Sequence, residues 1–186
     1  MAHLLTSVRL LLALPVGIAI ARPGLATGAT LFAVLPLAVL TDYWDGIIAR
    51  RTGTASPGGQ LFDHSTDCLF VTSGLTGAAI AGLAPAALPL LIIVAFSQYV
   101  VDSYWFFQRK QLLMNAIGRW NGILYFVPIF FIAGARLTAL STVSAILIGL
   151  GKTMSYLLIA STVISIADRA TAARAVQEHP RPNEPT

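Results

Sequence analysis

Charged side chains are scarce in this sequence. Asp, Glu, Lys and Arg make up 11% of its 186 residues, whereas hydrophobic residues make up 56%. A soluble domain carries about 25% charged residues, so a surface exposed to water throughout is excluded. The mean hydropathy of +0.75 favours a chain whose helices are solvated by lipid.

Cysteine is nearly absent as well, since Cys68 is the only one, and an intramolecular disulfide is therefore excluded. The formal net charge is +4, but the sequence contains no basic domain suited to a nucleic-acid backbone, so no nucleic-acid partner is expected. In a membrane chain such basic residues collect in cytoplasmic loops next to anionic lipid.

Six apolar segments, each long enough to supply the roughly 20 residues that a helix needs to cross a bilayer, account for most of the chain. They predict an all-α integral membrane protein, a bundle of six transmembrane helices within residues 1–168. Residues 169–186 are polar and contain prolines, and they are predicted to form a disordered cytoplasmic tail. The predicted helices are about Leu4–Ala21, Ala26–Ile48, Phe62–Leu83, Ala86–Phe107, Trp120–Ala135 and Leu137–Ala167.

The distribution of Lys and Arg predicts the orientation of these helices. With the N-terminus inside, nine basic residues lie on the cytoplasmic side and only Arg22 and Arg136 lie on the other. Both termini and the loop 49–61 are therefore expected to face the cytoplasm from the inner membrane. A cleaved signal peptide is the alternative for residues 10–21, but that segment lacks a basic region before Arg9.

Four of the eight acidic residues lie between positions 42 and 67. An ionised aspartate at the centre of a membrane helix costs about 2.5–3.5 kcal/mol, so such a cluster is expected to be functional. Asp42 and Asp45 are spaced i, i+3 on the second predicted helix, and Asp63 and Asp67 are spaced i, i+4 on the third. An antiparallel hairpin would bring the two pairs together. Carboxylates without a His or Cys partner suit Mg²⁺, Mn²⁺ or Ca²⁺.

Residues next to the aspartates indicate that the predicted metal site also binds a polyphosphate. Gly46 leaves room for a close approach to the backbone, and Arg50 offers a planar fork that suits phosphate oxygens. The alternative is an ion-pair network between Asp42, Asp45 and the pair Arg50 and Arg51 that only holds a helical hairpin together. That network leaves Gly46 and the second carboxylate pair unexplained.

These residues form the pattern D-x2-D-G-x2-A-R-x8-G-x3-D-x3-D from Asp42 to Asp67. Every position resembles the signature of the CDP-alcohol phosphotransferases, also called the CDP-alcohol phosphatidyltransferase family, and so many fixed positions are far more specific than a short motif. The segment "LLTSVR" at 4–9 is similar to the L-T-x-x-R opening of many members. The Asn and Pro that often precede that opening are replaced here by Ala2 and His3.

The resemblance implies an enzyme that cleaves the pyrophosphate of a CDP-linked donor, usually CDP-diacylglycerol, passes the phosphatidyl group to an alcohol and releases CMP. It assigns Asp42 and Asp63 to bridge two divalent cations, Mg²⁺ or Mn²⁺, with Asp45 completing one and Asp67 reaching the other. Asp67 is also the implied general base, because an alcohol is a poor nucleophile near pH 7. A homodimer is implied too. The implied contacts to the CDP-donor are Thr6, Arg9, Gly46, Ala49, Arg50, Ser56 and Gly59.

Three further residues are candidates for binding the acceptor alcohol. His64 lies between the last two aspartates, although a lone histidine often only packs locally. Arg119 is either a phosphate contact or a topogenic charge, and Lys152 is either an acceptor-binding cation or a partner of Asp102. The segment "FDHSTDC" matches neither the phosphatidylglycerophosphate synthases nor the phosphatidylserine synthases well, so the acceptor stays open.

Two alternative functions are compatible with the sequence. One is the same chemistry with the roles reversed, in which a CDP-linked small alcohol donates to a lipid acceptor. The other is a non-catalytic membrane transporter or a protein that binds divalent cations or nucleotides. A transporter predicts inverted repeats or paired broken helices, and the sequence shows neither.

Overall fold

The computed structural model describes residues 2–51, 56–103, 116–137 and 141–178, and within these ranges it leaves out the side chains of 2–5, 41–43, 45–51 and 172–178. The described residues form helices and contain no β-strand, so the predicted all-α class is confirmed. The helices are α1 Ala2–Ala21, α2 Gly28–Arg51, α3 Pro57–Ile80, α4 Ala87–Val101, α5 Ala116–Leu124, α6 Phe126–Leu137 and α7 Ser141–Glu178.

Both ends of α3 follow from its sequence. Ser56 caps the N-terminus, since its Oγ accepts a hydrogen bond from the Gly59 amide at 3.1 Å, as N-cap serines commonly do. At the other end Gly82 has a φ of +71°, and the Leu83 amide donates to the Ala78 carbonyl at 2.8 Å. This arrangement is a Schellman motif, which needs a residue that tolerates positive φ. These two signals fix the length of the helix that carries Asp63 and Asp67.

The fifth predicted helix is interrupted in the structure. Residues Ala116–Leu137 form one apolar stretch of 22 residues, but Tyr125 separates α5 from α6. Pro128 lies one turn after Leu124, and a proline both lacks an amide hydrogen and clashes with the carbonyl four residues earlier. The break therefore falls where the proline interferes with the preceding turn.

The predicted tail needs a correction, because α7 extends to Glu178 and residues 169–178 are helical. The sequence from Ala167 to Glu178 is rich in alanine and contains arginine and glutamate, all strong helix formers. Disorder was predicted from the polarity of these residues alone, without regard to their helix propensity. The remaining residues of the predicted tail, 179–186, lie outside the described part of the chain.

The hydrophobic core lies between α1, α3, α4 and α6, where Phe70, Leu75, Leu88 and Ile129 are completely buried. Within it, α1 and α3 come unusually close through two glycines. A Cβ placed on Gly77 would lie 2.1 Å from the carbonyl oxygen of the α1 glycine, Gly17. Small residues at helix interfaces permit such backbone contact in membrane bundles. This contact sets how near the residues of α1 approach the acidic face of α3.

Arg136, in the last turn of α6, fixes the far end of α1. Its Nη1 donates to the Ala19 carbonyl at 2.8 Å, and its Nη2 donates to the Ile20 carbonyl. Carbonyls in the last turn of a helix have no intrahelical partner, so the guanidinium satisfies them. One of the two arginines assigned to the non-cytoplasmic side therefore has a structural role.

Apolar side chains cover much of the outer surface, and polar ones are found inside. Leu11 is 75% exposed and Ile80 is 72% exposed, and soluble monomers rarely expose large contiguous apolar patches. Among the described helices, Ala116–Leu137 and Ser141–Thr171 are long and apolar enough to cross a membrane, and shorter apolar helices accompany them. This distribution suggests a membrane protein. The buried polar residues are Thr6, Arg9, Thr66, Thr72, Asp102, Ser103, Asn121, Ser155, Thr162, Ser165 and Arg169.

The contact between Gly17 and Gly77 predicts the effect of a single added methyl group. Gly77→Ala should lower the free energy of unfolding by about 1–3 kcal/mol, because neither backbone can move aside without separating the helices. Thermal unfolding in detergent measures the change. Gly149→Ala on α7 is the control, since nothing lies within 4 Å of its added Cβ, and it should be neutral or stabilising by about 0.5–1 kcal/mol. Equal melting temperatures for the two variants would contradict the packing described.

Candidate functional site

Arg9 connects the two carboxylates of α3. Its Nη2 donates to Asp63 Oδ1 at 2.9 Å and its Nη1 donates to Asp67 Oδ1. The guanidinium is buried, whereas each carboxylate side chain keeps 28% of its surface exposed. The acids are therefore held from the inside of the bundle and remain accessible from the outside. The predicted helical spacing of Asp63 and Asp67 is confirmed, since a single guanidinium reaches both.

Thr6 reinforces this arrangement from one turn earlier on α1. Its Oγ1 donates to Asp63 Oδ1 at 3.3 Å, so Thr6 and Arg9 lie on the same face of α1. The sequence comparison implied that these two residues contact a CDP-donor. In the structure their contacts are with the carboxylates, and they orient the acids that such a donor would meet.

A cavity of about 640 Å³ opens beside Asp67, within the range of about 300–1,000 Å³ that small-molecule sites occupy. Its wall is mostly apolar, and polar groups from α1, α3, α4, α5 and α7 converge on it. Three predicted site residues besides Asp67 lie on this wall, namely Arg9, His64 and Arg119. The polar and small lining residues are Arg9, Gln60, His64, Asp67, Cys68, Tyr99, Gly118, Arg119, Gly122, Tyr125, Ser165 and Arg169.

Arg169 is a cavity residue that the sequence interpretation missed. It is buried on α7, nine residues before that helix ends. Its guanidinium carbon lies 4.9 Å from the centre of the Tyr99 ring, and its Nη1 is 3.9 Å from Asp102 Oδ2. The arginine was assigned to a disordered tail, so its burial was not expected. The available signal was Asp102, an acid at the end of an apolar segment that required a cationic partner.

The acceptor candidates occupy different places. His64 faces the cavity, with its ring centre 6.4 Å from that of Tyr99, and Arg119 lines the cavity while remaining exposed. Lys152 is exposed on α7, about 25 Å along the helix from Arg169, and it does not line the cavity. Its suggested pairing with Asp102 is not observed, because that acid pairs with Arg169.

The donor-site residues on α2 are placed by their backbone alone. Asp42, Asp45, Gly46, Ala49 and Arg50 belong to a continuous helix, and their side chains lie outside the described part of the structure. Their backbone spacing agrees with the prediction. Val39, in the middle of α2 and about one turn before Asp42, lines the cavity. Ser56 and Gly59, also implied as donor contacts, form the N-terminal cap of α3.

The chemistry of the donor atoms fits a divalent cation. Asp63 and Asp67 present carboxylate oxygens one helical turn apart, and Mg²⁺ and Mn²⁺ prefer such hard ligands. No group of three His, Cys, Asp or Glu side chains suited to a metal occurs among the residues whose side chains are described. The other two predicted ligands, Asp42 and Asp45, lie outside that set.

Comparison with known proteins identifies the family of this chain. The sequence profile of the CDP-alcohol phosphatidyltransferase family matches residues 1–167, so the chain belongs to that family of transferase enzymes. A relative from Mycoplasma genitalium, named CDP-diacylglycerol–glycerol-3-phosphate 3-phosphatidyltransferase, is 31% identical over 97 residues. The match covers 50% of this chain and 40% of the relative. No solved structure gives a significant match.

The Arg9 contacts predict how stability responds to divalent cations. Arg9→Met removes the guanidinium that contacts both Asp63 and Asp67, so the free energy of unfolding should fall by about 2 kcal/mol, below the ~3–5 kcal/mol of a fully buried pair. Added Mg²⁺ should then raise the melting temperature more in the variant than in the wild type.

The control for this experiment is Arg22→Met, which changes an exposed arginine just after α1. Its melting temperature and its Mg²⁺ response should equal those of the wild type. Tryptophan fluorescence during heating, with and without EDTA, measures both quantities. If Arg9→Met gained no more from Mg²⁺ than Arg22→Met, Arg9 would not be the resident counter-charge of these carboxylates.

Proposed function

We propose that this protein transfers the phosphatidyl group of CDP-diacylglycerol to a small alcohol, with release of CMP, in phospholipid synthesis. The observation that carries the proposal is the pair Asp63 and Asp67, which Arg9 holds together; Arg9 and Asp67 line the cavity. Membership of the CDP-alcohol phosphatidyltransferase family supports the reaction class. The name of the Mycoplasma genitalium relative supports the donor.

Asp67 is the proposed general base. Its carboxylate lines the cavity, so an alcohol bound there lies within reach, and the carboxylate accepts the hydroxyl proton as the oxygen attacks. The attacking oxygen forms a bond to the phosphorus that bears diacylglycerol. The bond from that phosphorus to the bridging oxygen breaks, and CMP leaves with the electron pair. Arg9 keeps the carboxylate oriented before the acceptor arrives.

The donor site is proposed on the other side of these carboxylates, toward α2. Divalent cations, Mg²⁺ or Mn²⁺, held by Asp42, Asp45, Asp63 and Asp67, would neutralise the pyrophosphate and stabilise charge on the attacking and leaving oxygens. Arg50, on the same helix as the first two aspartates, is proposed to contact the phosphates. The middle of α2 lines the cavity at Val39, about one turn before Asp42, which supports this placement.

Two further arginines of the cavity wall suggest an acceptor that carries a phosphate. Arg119 and Arg169 both line it, and guanidinium groups suit phosphate oxygens. The Mycoplasma genitalium relative is named for glycerol 3-phosphate, which is an alcohol of this kind. We therefore assign a phosphorylated small alcohol to the cavity, with its hydroxyl toward Asp67 and its phosphate toward α5 and α7.

The membrane arrangement that we propose is six spans with cytoplasmic termini in the inner membrane. Arg9, Asp67, Arg119 and Arg169 share one cavity, whereas Arg136 binds the opposite end of α1. This separation supports a site on the side that the distribution of Lys and Arg predicts to be cytoplasmic. A cytoplasmic site also suits a soluble nucleotide product. The homodimer implied by the family resemblance stays a prediction.

Turnover of CDP-diacylglycerol by Asp67→Asn tests this proposal. The purified protein is incubated with labelled CDP-diacylglycerol, Mg²⁺ or Mn²⁺ and a panel of alcohols that includes glycerol 3-phosphate and glycerol, while CMP release is followed. Loss of the general base should lower kcat by about 10²–10⁴-fold. Thr76→Val, an exposed change on the same helix, should leave turnover unchanged.

Two results would overturn the proposal. One is undiminished CMP release by Asp67→Asn, and the other is no CMP release by the wild-type protein with any acceptor. CMP release that requires a lipid alcohol and a CDP-linked small alcohol would instead establish the reaction with reversed roles.

A further inference from the structure

Asp102 is a buried acid that the proposed reaction does not use. Its residue is 4% exposed, and no hydrogen-bond donor contacts its Oδ2. A buried carboxylate is costly unless a cation or donor compensates it. The compensation here comes from Arg169 Nη1 at 3.9 Å, farther than the roughly 2.7–2.9 Å of a charge-assisted hydrogen bond.

The helices that carry this pair are joined next to it. Gln98, one turn before Asp102 on α4, donates from Nε2 to the carbonyl of Ile166 on α7 at 3.1 Å. The Tyr99 ring supports the guanidinium of Arg169 at 4.9 Å. The hydrogen bond holds α4 and α7 together beside the ion pair, and the Tyr99 ring fixes the position of the guanidinium. The separation of 3.9 Å between Arg169 and Asp102 follows from these two contacts.

Arg169 links this acid to the cavity. The arginine lines the cavity and Asp102 does not, so the carboxylate attracts a guanidinium that also faces a bound ligand. In a low-dielectric interior this attraction is strong even without a direct hydrogen bond. An anion that binds in the cavity therefore competes with Asp102 for Arg169.

We propose that Asp102 is a positioning residue that limits the affinity of Arg169 for the phosphate of the acceptor. The inference rests on the proposed function, in which the acceptor is a phosphorylated alcohol. Both acceptor and product carry the same phosphate, so an arginine without this competition would bind both more tightly and would slow release of the product. Asp102 thus sets a moderate affinity suited to turnover.

Thermal unfolding with inorganic phosphate tests the pair without any turnover. Asp102→Asn keeps the shape of the side chain and removes its charge, so the wild-type protein and this variant are titrated with phosphate in EDTA. The dissociation constant for phosphate should fall about tenfold in Asp102→Asn. The double variant Asp102→Asn with Arg169→Gln has neither charge, so it should fold and should lose the phosphate response.

Kinetics provide a second measurement. In Asp102→Asn the KM for glycerol 3-phosphate should fall about tenfold, while the KM for CDP-diacylglycerol should stay unchanged. A purely structural role would reduce the active fraction and leave both KM values unchanged. Equal phosphate affinity in the wild type and Asp102→Asn, or a raised KM for glycerol 3-phosphate in the variant, would overturn the inference.

Failure of the inference and failure of the proposed function give different results. A tighter phosphate response in Asp102→Asn without CMP release from any form would support the pair and overturn the proposed reaction. CMP release by the wild-type protein, with equal phosphate affinity in the wild type and Asp102→Asn, would support the proposed reaction and overturn the inference about Asp102. A further measurement distinguishes a lipid phosphate from a soluble one. Phosphatidic acid is added to the detergent micelles that hold the protein, and thermal unfolding is measured again. Stabilisation of Asp102→Asn by that lipid, with none by inorganic phosphate, would overturn the assignment to a soluble acceptor.

Discussion

The ion pairs from Arg9 to Asp63 and Asp67 are the interaction on which the site depends. Carboxylates in an apolar bundle repel each other and lose hydration, and both effects oppose folding. A buried arginine on α1 offsets them and at the same time fixes the orientation of both acids. The first helix is therefore part of the site, although the residues expected to perform the chemistry lie on α2 and α3.

This interaction requires α1 and α3 to lie closer together than large side chains would allow. Gly17 and Gly77 provide that proximity by letting one backbone contact the other, while Arg136 holds the far end of α1 through its terminal carbonyls. The position of Arg9 is thus set by contacts distant from the charges. The small residues therefore allow α1 and α3 to approach closely, and this approach lets Arg9 reach the carboxylates of α3.

The sequence was sufficient for features with a local cause. Helical spacing predicted that Asp63 and Asp67 share a face. The ends of their helix were predicted less well, at Phe62 and Leu83, because hydropathy was used in place of the local capping signals at Ser56 and Gly82. The interruption at Tyr125 and the helical course of residues 169–178 were missed, because hydropathy and polarity outweighed the proline and the alanines. The partnership of Asp102 with Arg169 is long-range, and no local pattern distinguishes it from pairing with Lys152.

The arginines of the cavity wall explain why an anionic substrate and a divalent cation belong together. Arg9 is already shared by two carboxylates, and Arg169 is attracted by Asp102, so an incoming phosphate meets cations whose charge is partly neutralised. A pyrophosphate near Asp63 and Asp67 would also face repulsion from these acids. In the proposed site, Asp63 and Asp67 would hold a divalent cation, whose charge would offset this repulsion. The resident ion pairs are thus consistent with the proposed donor site, in which the pyrophosphate would bind together with divalent cations.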